Sequence, residues 1–250
     1  MAQRNKTSIP PEQELDQLPE PPPSQTRIQV TNETTLQAAE RIYQKGEMPL
    51  ALNFANGIQP GGGFLLGADA QEESLCRCSS LYMTLLGDPM YKAHKARKDT
   101  DCSDWAILSP EVPVFAREDG VLRSDPWTCG FLTCAAPNAT AETQDRAAGL
   151  MVSRIDRVLH IALHYGYGTL ILGAWGCGAF GNDPERIAGI FRHALHGRFA
   201  DQFDEVVFAI SDPNPEPHCH RSFQSTFLNP YSTLQSGSNI SEESVRESRE

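Results

Sequence analysis

Apolar positions along the chain fall either into short unbroken runs or into longer helical stripes, and their alternation predicts an α/β protein. Arg27–Val30 reads as a short strand. Thr31-Asn32-Glu33-Thr34 then supplies helix-start residues for a helix over Thr35–Lys45 that stops at Gly46. Leu50–Ala55 is a continuous apolar run between turn residues, the pattern of a buried strand. From Gln71 to about Leu86 the spacing of Leu75, Leu81, Met83 and Leu85 is helical. Asp88–Asp101 is polar and basic, with Lys92, Lys95, Arg97 and Lys98; it is either a solvated helix face or the flank of an entrance for a phosphate chain. Ala106–Ser109 and Val112–Ala116 are strand-like, Glu118-Asp119-Gly120 is a hairpin turn, and Phe131–Ala135 is another buried strand. Thr143–Tyr165 carries the clearest amphipathic stripe, through Met151, Ile155, Val158, Leu159, Ala162 and Leu163. Thr169–Leu172 and Val206–Ile210 are the remaining strands, with Asp183 as N-cap and Pro184 at the first position of a helix between them. This order predicts a three-layer α/β sandwich.

Two glycine-rich stretches interrupt the pattern. The first, Asn56 to Glu73, opens with a carboxamide and passes through Gly61, Gly62 and Gly63 to end in Gln71-Glu72-Glu73. Glycines let amide N–H groups approach an anion, a carboxyl serves acid–base chemistry, and an amide can bind sugar hydroxyls by donating and accepting. Glu72 and Glu73 stand at a helix N-terminus, about 100 degrees apart around the axis, so they cannot do the same job. The second stretch, Gly173 to Asp183, contains Gly176-Cys177-Gly178-Ala179-Phe180-Gly181 between a strand and a helix start, an anion-binding arrangement. The two lie about 110 residues apart, and they make sense together only if the fold brings them over one ligand.

Gly61-Gly62-Gly63, a spacer of seven residues and Gln71-Glu72-Glu73 resemble the signature of poly(ADP-ribose) glycohydrolases. The flanks NFANGIQPGGGF and SLCRCSSLY are similar to the microbial-type branch, and the likeness runs from about Thr26 to about Phe223. The resemblance implies a macrodomain-like α/β/α sandwich with a mixed sheet. It implies a hydrolase that cuts ribose–ribose O-glycosidic bonds of poly(ADP-ribose), exo-acting, releasing ADP-ribose through an oxocarbenium-like transition state. Glu73 is expected as the general acid/base and Glu72 as the holder of ribose hydroxyls. Asn56 is expected to hold the distal ribose, and Phe180 to pack beside that ribose and the catalytic loop. Gln71 is placed in the substrate site. Gly61 to Gly63 and the loop of Gly176, Cys177, Gly178, Ala179, Phe180 and Gly181 are expected to offer amides to the pyrophosphate. Thr31–Thr34 and Asp212 are candidates on the adenine side. Two alternatives share the pocket: a macrodomain reader without turnover, and a hydrolase of mono-ADP-ribose on protein or DNA. A dinucleotide-binding fold is a physically different alternative: Gly176 to Gly181 spell G-x-G-x-x-G, but the Gly61-Gly62-Gly63 stretch with Gln71-Glu72-Glu73 has no place in that fingerprint, so it is not the expected fold.

Composition narrows the picture further. A net charge of −11 argues against sequence-specific nucleic-acid binding, yet a local site of backbone amides can still hold a polyanion. The seven cysteines are scattered rather than framed as a disulfide scaffold, and no secretory pattern opens the chain, so an intracellular setting, cytoplasmic or nuclear, is expected. No cofactor or metal is expected: Cys76 and Cys78 share no helix face, His218-Cys219-His220 reads as a surface loop, and His160 and His164 lack a third ligand. Cys177 lacks a partner histidine and reads as a loop residue rather than a nucleophile. Residues 1–25 are polar and proline-rich, and 232–250 are Ser/Glu-rich; both are expected to be loose tails around a domain at 26–231, which is expected to be a monomer with no membrane partner. One conflict stands out in the chemistry. A helix N-terminus favours the carboxylate, whereas an acid catalyst must hold a proton near neutral pH, so burial or substrate phosphate has to restore it.

Overall fold

Local chemistry sets most element boundaries. In the computed structural model, which describes residues 5–18, 20–21, 24–98, 101–212 and 217–228, strands and helices alternate largely as the apolar runs require. β1 is Thr7–Ile9, β2 Arg27–Thr31 and α1 Thr35–Tyr43. Thr34 caps α1 reciprocally with Gln37, satisfying two otherwise orphan N–H groups. β3 is Leu50–Phe54, followed by a 3₁₀ turn at Phe64–Leu66, α2 at Gln71–Cys78, α3 at Leu81–Leu85 and α4 at Pro89–Lys95. β4, Ala106–Ala116, and β5, Leu122–Cys134, form a long hairpin. α5 is Gln144–His164, β6 Thr169–Leu172, α6 Pro184–His196, β7 Glu205–Ala209 and α7 His218–Leu228.

The seven strands lie in the order β1-β4-β5-β3-β6-β7-β2. β5, β3, β6, β7 and β2 run parallel, and β4 is antiparallel to both its neighbours, so the sheet is mixed. Period-2 alternation sends Leu50, Leu52, Leu170, Leu172, Val206 and Phe208 into one core, shared with Met151, Ile155, Leu159, Phe191 and Phe223 of α5, α6 and α7. Ala51, Ile171 and Val207 face the other core, shared with Leu36 and Ile42 of α1, Leu75 of α2, Leu81 of α3 and Met90 of α4. Helices therefore cover both faces, giving the three-layer sandwich, and each buried Leu, Ile or Phe contributes about 1.5–3 kcal/mol.

Four expectations need correction. Residues 1–25 are not a loose tail over Thr7–Ile9, which pair with β4 while Ile9 is fully buried. Ser8 donates to Asp88 at 3.0 Å and accepts from Trp105 Nε1 at 2.9 Å, and Lys6 pairs with Asp88 at 3.1 Å. A three-residue strand gives no period to read, and its partners are about 80 and 97 residues away. The helix expected over Gln71–Leu86 is broken, because the Ser79 hydroxyl bonds Leu75 O and the Leu81 N–H while Ser79 bridges Val114. Ala106–Ala116 is one strand, bent by a register shift between Ser109 and Val112, rather than two. His218-Cys219-His220 is the first turn of α7, not a surface loop.

The basic run after Asp88 resolves as α4, with Met90, Tyr91 and His94 buried and Lys92 and Lys95 exposed, followed by the exposed Arg97 and Lys98. His160 and His164 on α5 both meet Asp16, at 2.6 and 3.1 Å, tying the N-terminal segment to the helix. Among the described residues no helix is long and apolar enough to cross a membrane. The expected segment at 232–250 lies outside the described residues.

Candidate active site

β3 sits at the centre of the sheet, with β5 on one side and β6 on the other, all parallel. The first glycine stretch leaves the carboxyl end of β3, and the second leaves the carboxyl end of β6. Adjacent parallel strands thus bring together loops about 110 residues apart, at the edge where open α/β sheets bind ligands.

The first loop turns back to α2 and places two carboxyls beside it. Glu72 is only 3% exposed. Its Oε2 accepts the Asn56 backbone N–H at 2.7 Å, and its Oε1 accepts from Asn53 Nδ2 at 3.3 Å. Burial pushes the Glu72 carboxyl up to about 8; the hydrogen bonds from Asn56 and Asn53 oppose this, and the neighbouring Glu73 charge adds to it. Glu73 is 9% exposed, and its Oε1 accepts the Gly63 N–H at 2.9 Å. Among the described residues nothing bonds its Oε2. One carboxyl is therefore held at both oxygens, and the other keeps an oxygen for a ligand.

Gly62 shows why the glycines are needed. Its φ is +58°, and a Cβ there would lie 2.3 Å from Glu73 Oε1 and 3.1 Å from Glu72 Oε2. Both carboxyls lean on a residue with no side chain. The amides of this turn, however, are largely spent inside the protein. Gly62 N–H donates to Gln59 O at 3.0 Å, Gly63 N–H goes to Glu73, and the Gly61 N–H acts on Glu72. Gly61 to Gly63 thus cradle the carboxyls in this structure, in place of the expected pyrophosphate contacts from Gly62 and Gly63.

The neighbouring amides divide the work. Asn56 Oδ1 accepts from the N–H groups of Ile58 and Gln59, at 3.0 Å each, so its NH₂ is what it can offer a ligand. Gln71 is expected at the substrate, but its carboxamide is committed to the scaffold. It donates to Leu52 O at 2.8 Å and Thr35 Oγ1 at 3.1 Å and accepts the Phe54 N–H at 2.9 Å, locking α2 to the end of β3. Asn53 is fully buried and donates to both Glu72 and Thr133 Oγ1, the latter at 3.1 Å, which ties the carboxyl to β5. Its place on the strand face is readable in sequence; its partners are not.

The second loop is built the other way. Trp175 is fully buried beneath it. Gly176 has φ +77°, and a Cβ there would sit 2.7 Å from Ala136 Cβ and Asn182 Nδ2. Asn182, which the sequence does not mark, clamps the loop: its Nδ2 donates to Gly176 O at 3.0 Å and Pro137 O at 2.9 Å. Ala139 N–H donates to Phe180 O at 2.8 Å, and Gln144 Nε2 to Gly181 O at 2.7 Å. All these bonds use carbonyls or the loop's ends. Among the described residues the N–H groups of Gly178, Ala179 and Phe180 have no acceptor. Three successive open donors just ahead of α6, capped by Asp183, form an anion cradle.

The other groups singled out in the sequence have partners of their own. The Cys177 thiol is pushed up by burial and among the described residues bonds only Trp175 O, at 3.8 Å, the setting of an inert thiol. Cys76 and Cys78 are buried in the core beneath α1 to α4, and burial raises both thiols. Thr34 is an N-cap whose hydroxyl donates to Glu118 at 2.6 Å, and Asp212 accepts the Cys219 N–H at 3.2 Å near the start of α7. Among the described residues no group of three His, Cys, Asp or Glu is arranged to hold a metal.

Comparison with known proteins fits this geometry. No curated protein matches the chain. The family described as microbial-type PARG, catalytic domain, matches residues 1–117. The poly(ADP-ribose) glycohydrolase of Thermomonospora curvata is 41% identical, with 90% of this chain and 86% of that one covered and a TM-score of 0.84. A structure of that glycohydrolase bound to the inhibitor ADP-HPD is 44% identical, covering 81% and 79% of the two chains at a TM-score of 0.78. The Deinococcus radiodurans glycohydrolase in complex with ADP-ribose is 38% identical, covering 82% and 84% at a TM-score of 0.77. The chain belongs to the poly(ADP-ribose) glycohydrolases, as a member of their microbial-type branch.

Proposed function

We propose that this glycohydrolase releases ADP-ribose from poly(ADP-ribose) with Glu73 as its general acid/base and Glu72 as the group that fixes the scissile ribose. The observation that carries the reading is the asymmetry of the two carboxyls. Glu73 is anchored through one oxygen to Gly63 and keeps the other open, whereas Glu72 is held at both. In the first half of the reaction the glycosidic C–O bond breaks, and Glu73 gives its proton to the departing ribose hydroxyl. Positive charge gathers on the anomeric carbon of the distal ribose. In the second half water attacks that carbon and Glu73 takes the proton back.

The remaining groups position the sugar. Glu72 oxygens retain lone pairs that accept ribose hydroxyls, and the Asn56 NH₂ donates to the distal ribose. The open N–H groups of Gly178, Ala179 and Phe180 bind the pyrophosphate, whose negative charge also faces the developing cation. Phe180, half-buried and packed on the core below, supplies a ring beside the ribose. The enzyme acts from the polymer end, a reading that rests on its resemblance to the microbial-type branch.

The test is wild type against Glu73→Gln on defined poly(ADP-ribose), with products separated by length and ADP-ribose affinity measured in parallel. Turnover is expected to fall about 10³-fold with affinity changed less than about threefold. Equal turnover by the variant overturns the role of Glu73. Binding without cleavage by wild type makes the protein a reader. Early release of oligomers rather than ADP-ribose overturns exo action.

A further inference from the structure

On the far side of the sheet from α1 to α4, a groove of about 900 Å³ runs between α6 and α7, outside the catalytic constellation. From α6 it is lined by Glu185, Gly189, Arg192, His193 and His196, and from α7 by His218, Arg221, Ser222 and Ser225. These positions form one stripe on each helix, spaced three, four or seven apart, so the groove follows α6 for about 17 Å and α7 for about 12 Å. Its lining holds two arginines and three histidines against one carboxylate, in a chain whose net charge is −11. Elsewhere arginines are consumed by carboxylates: Arg27, Arg41, Arg117, Arg123, Arg186 and Arg198 each sit in an ion pair. Arg221, His193, His196 and His218 make no such pair among the described residues, and all four are exposed. The floor stays open, because a Cβ built at Gly189 would meet nothing within 4 Å.

We infer that this groove is a second, non-catalytic site that takes pyrophosphate groups of the polymer chain beyond the unit held in the active site. Charge complementarity selects the occupant: guanidinium forks and imidazole N–H donors match phosphate oxygens, and the exposed Ser225 hydroxyl adds a further contact. Continuity supports it. α6 starts directly after the anion cradle of Gly178 to Phe180, and α7 follows β7, whose carboxyl end lies on the same edge of the sheet as those of β3 and β6. The groove thus starts at the rim that holds the catalytic loops and leads away from it. A substrate with repeated pyrophosphates can occupy both places at once, which raises its affinity through effective concentration without altering the chemistry of cleavage. This inference rests on the polymer being the substrate.

The test uses the full chain carrying Glu73→Gln, with and without Arg221→Ala, Arg221→Glu and Arg221→Lys. The ligands are ADP-ribose and poly(ADP-ribose) of ten or so units, across a salt series. Arg221→Ala is expected to weaken polymer binding roughly fivefold at low salt, to lower the slope of affinity against salt by about one, and to leave ADP-ribose affinity unchanged. Arg221→Glu should weaken it further and Arg221→Lys restore most of it, which a merely structural role would not do. Equal effects on ADP-ribose and polymer, or no effect on either, overturn the inference. So does loss of single-stranded DNA binding with polymer binding intact. If Glu73→Gln still shortens the polymer, the catalytic assignment fails separately. The groove is then read from wild-type and Arg221→Ala initial rates on long against two-unit chains, where a KM difference confined to the long chain upholds it.

Discussion

The turns after β3 and β6 look alike as sequence, since each is glycine-rich, follows a buried strand and precedes a helix. Their backbones are used in opposite ways. In the first, the N–H groups of Gly62 and Gly63 point inward, to Gln59 O and Glu73, and the turn holds the side chains of Glu72 and Glu73 beside it. In the second, the side chain of Asn182 and the amide of Ala139 bind loop carbonyls, and three N–H groups are left for a ligand. One loop spends its donors to place carboxyls, and the other spends its acceptors to expose donors. In the proposed reaction these are complementary tasks, chemistry at the ribose and capture at the pyrophosphate.

The sharpest way to break this comparison is Gly62→Ala. The positive φ and the 2.3 Å approach to Glu73 Oε1 leave no place for a methyl group, so the carboxyl must move. Turnover should fall at least about 10²-fold, with stability lowered by roughly 2 kcal/mol. Assaying polymer cleavage beside a thermal melt checks both, and near-normal turnover would show that the carboxyl cradle is unimportant.

Ala179→Pro probes the other loop by deleting one open N–H. The Kd for ADP-ribose should rise about tenfold while kcat at saturation changes far less, as measured by calorimetry and steady-state rates. An unchanged Kd would remove the cradle from the binding site.

Burial of Glu72 predicts a dependence of stability on pH. Its folded value of about 8 exceeds the ordinary 4.5, so the folded state binds the extra proton. Stability from this group is intact below about 4.5 and is lost as pH rises through the folded value. Glu72→Gln should therefore be neutral at low pH but raise the melting temperature above pH 8, by several degrees. Equal melting shifts at both ends of the range would assign no buried proton to Glu72.

The smallest effect expected is from Asn182→Ala, which frees Gly176 O and Pro137 O from their clamp. ADP-ribose affinity should drop about threefold, with stability lowered by roughly 1 kcal/mol and no change in pH profile. A pH shift in this variant would mean the two loops are coupled rather than separate.

Much of this was legible in the residues. Pro184 behind Asp183 fixed the start of α6, Thr169–Leu172 matched β6 residue for residue, and Gln71-Glu72-Glu73 fell at the start of α2 behind the glycine turn. Such features rest on short-range physics: φ limits, caps and period. Gln71 reads as a substrate residue because a polar residue within a signature attracts a ligand role, while the partners of its carboxamide, Leu52, Thr35 and Phe54, lie on other elements and carry no local signal. Asn182 carries no local signal, since its acceptors belong to a loop about 45 residues earlier as well as to its own.

Local sequence therefore determined most of the elements, the glycine-rich turns where backbone can take positive φ, and the presence of a carboxyl pair. Only the tertiary structure decided which carboxyl is held and which is open, which amides remain free, and that an edge strand near the N-terminus completes the sheet. Hydrogen-bond satisfaction and desolvation are properties of the surroundings that distant segments create, and no residue carries them alone.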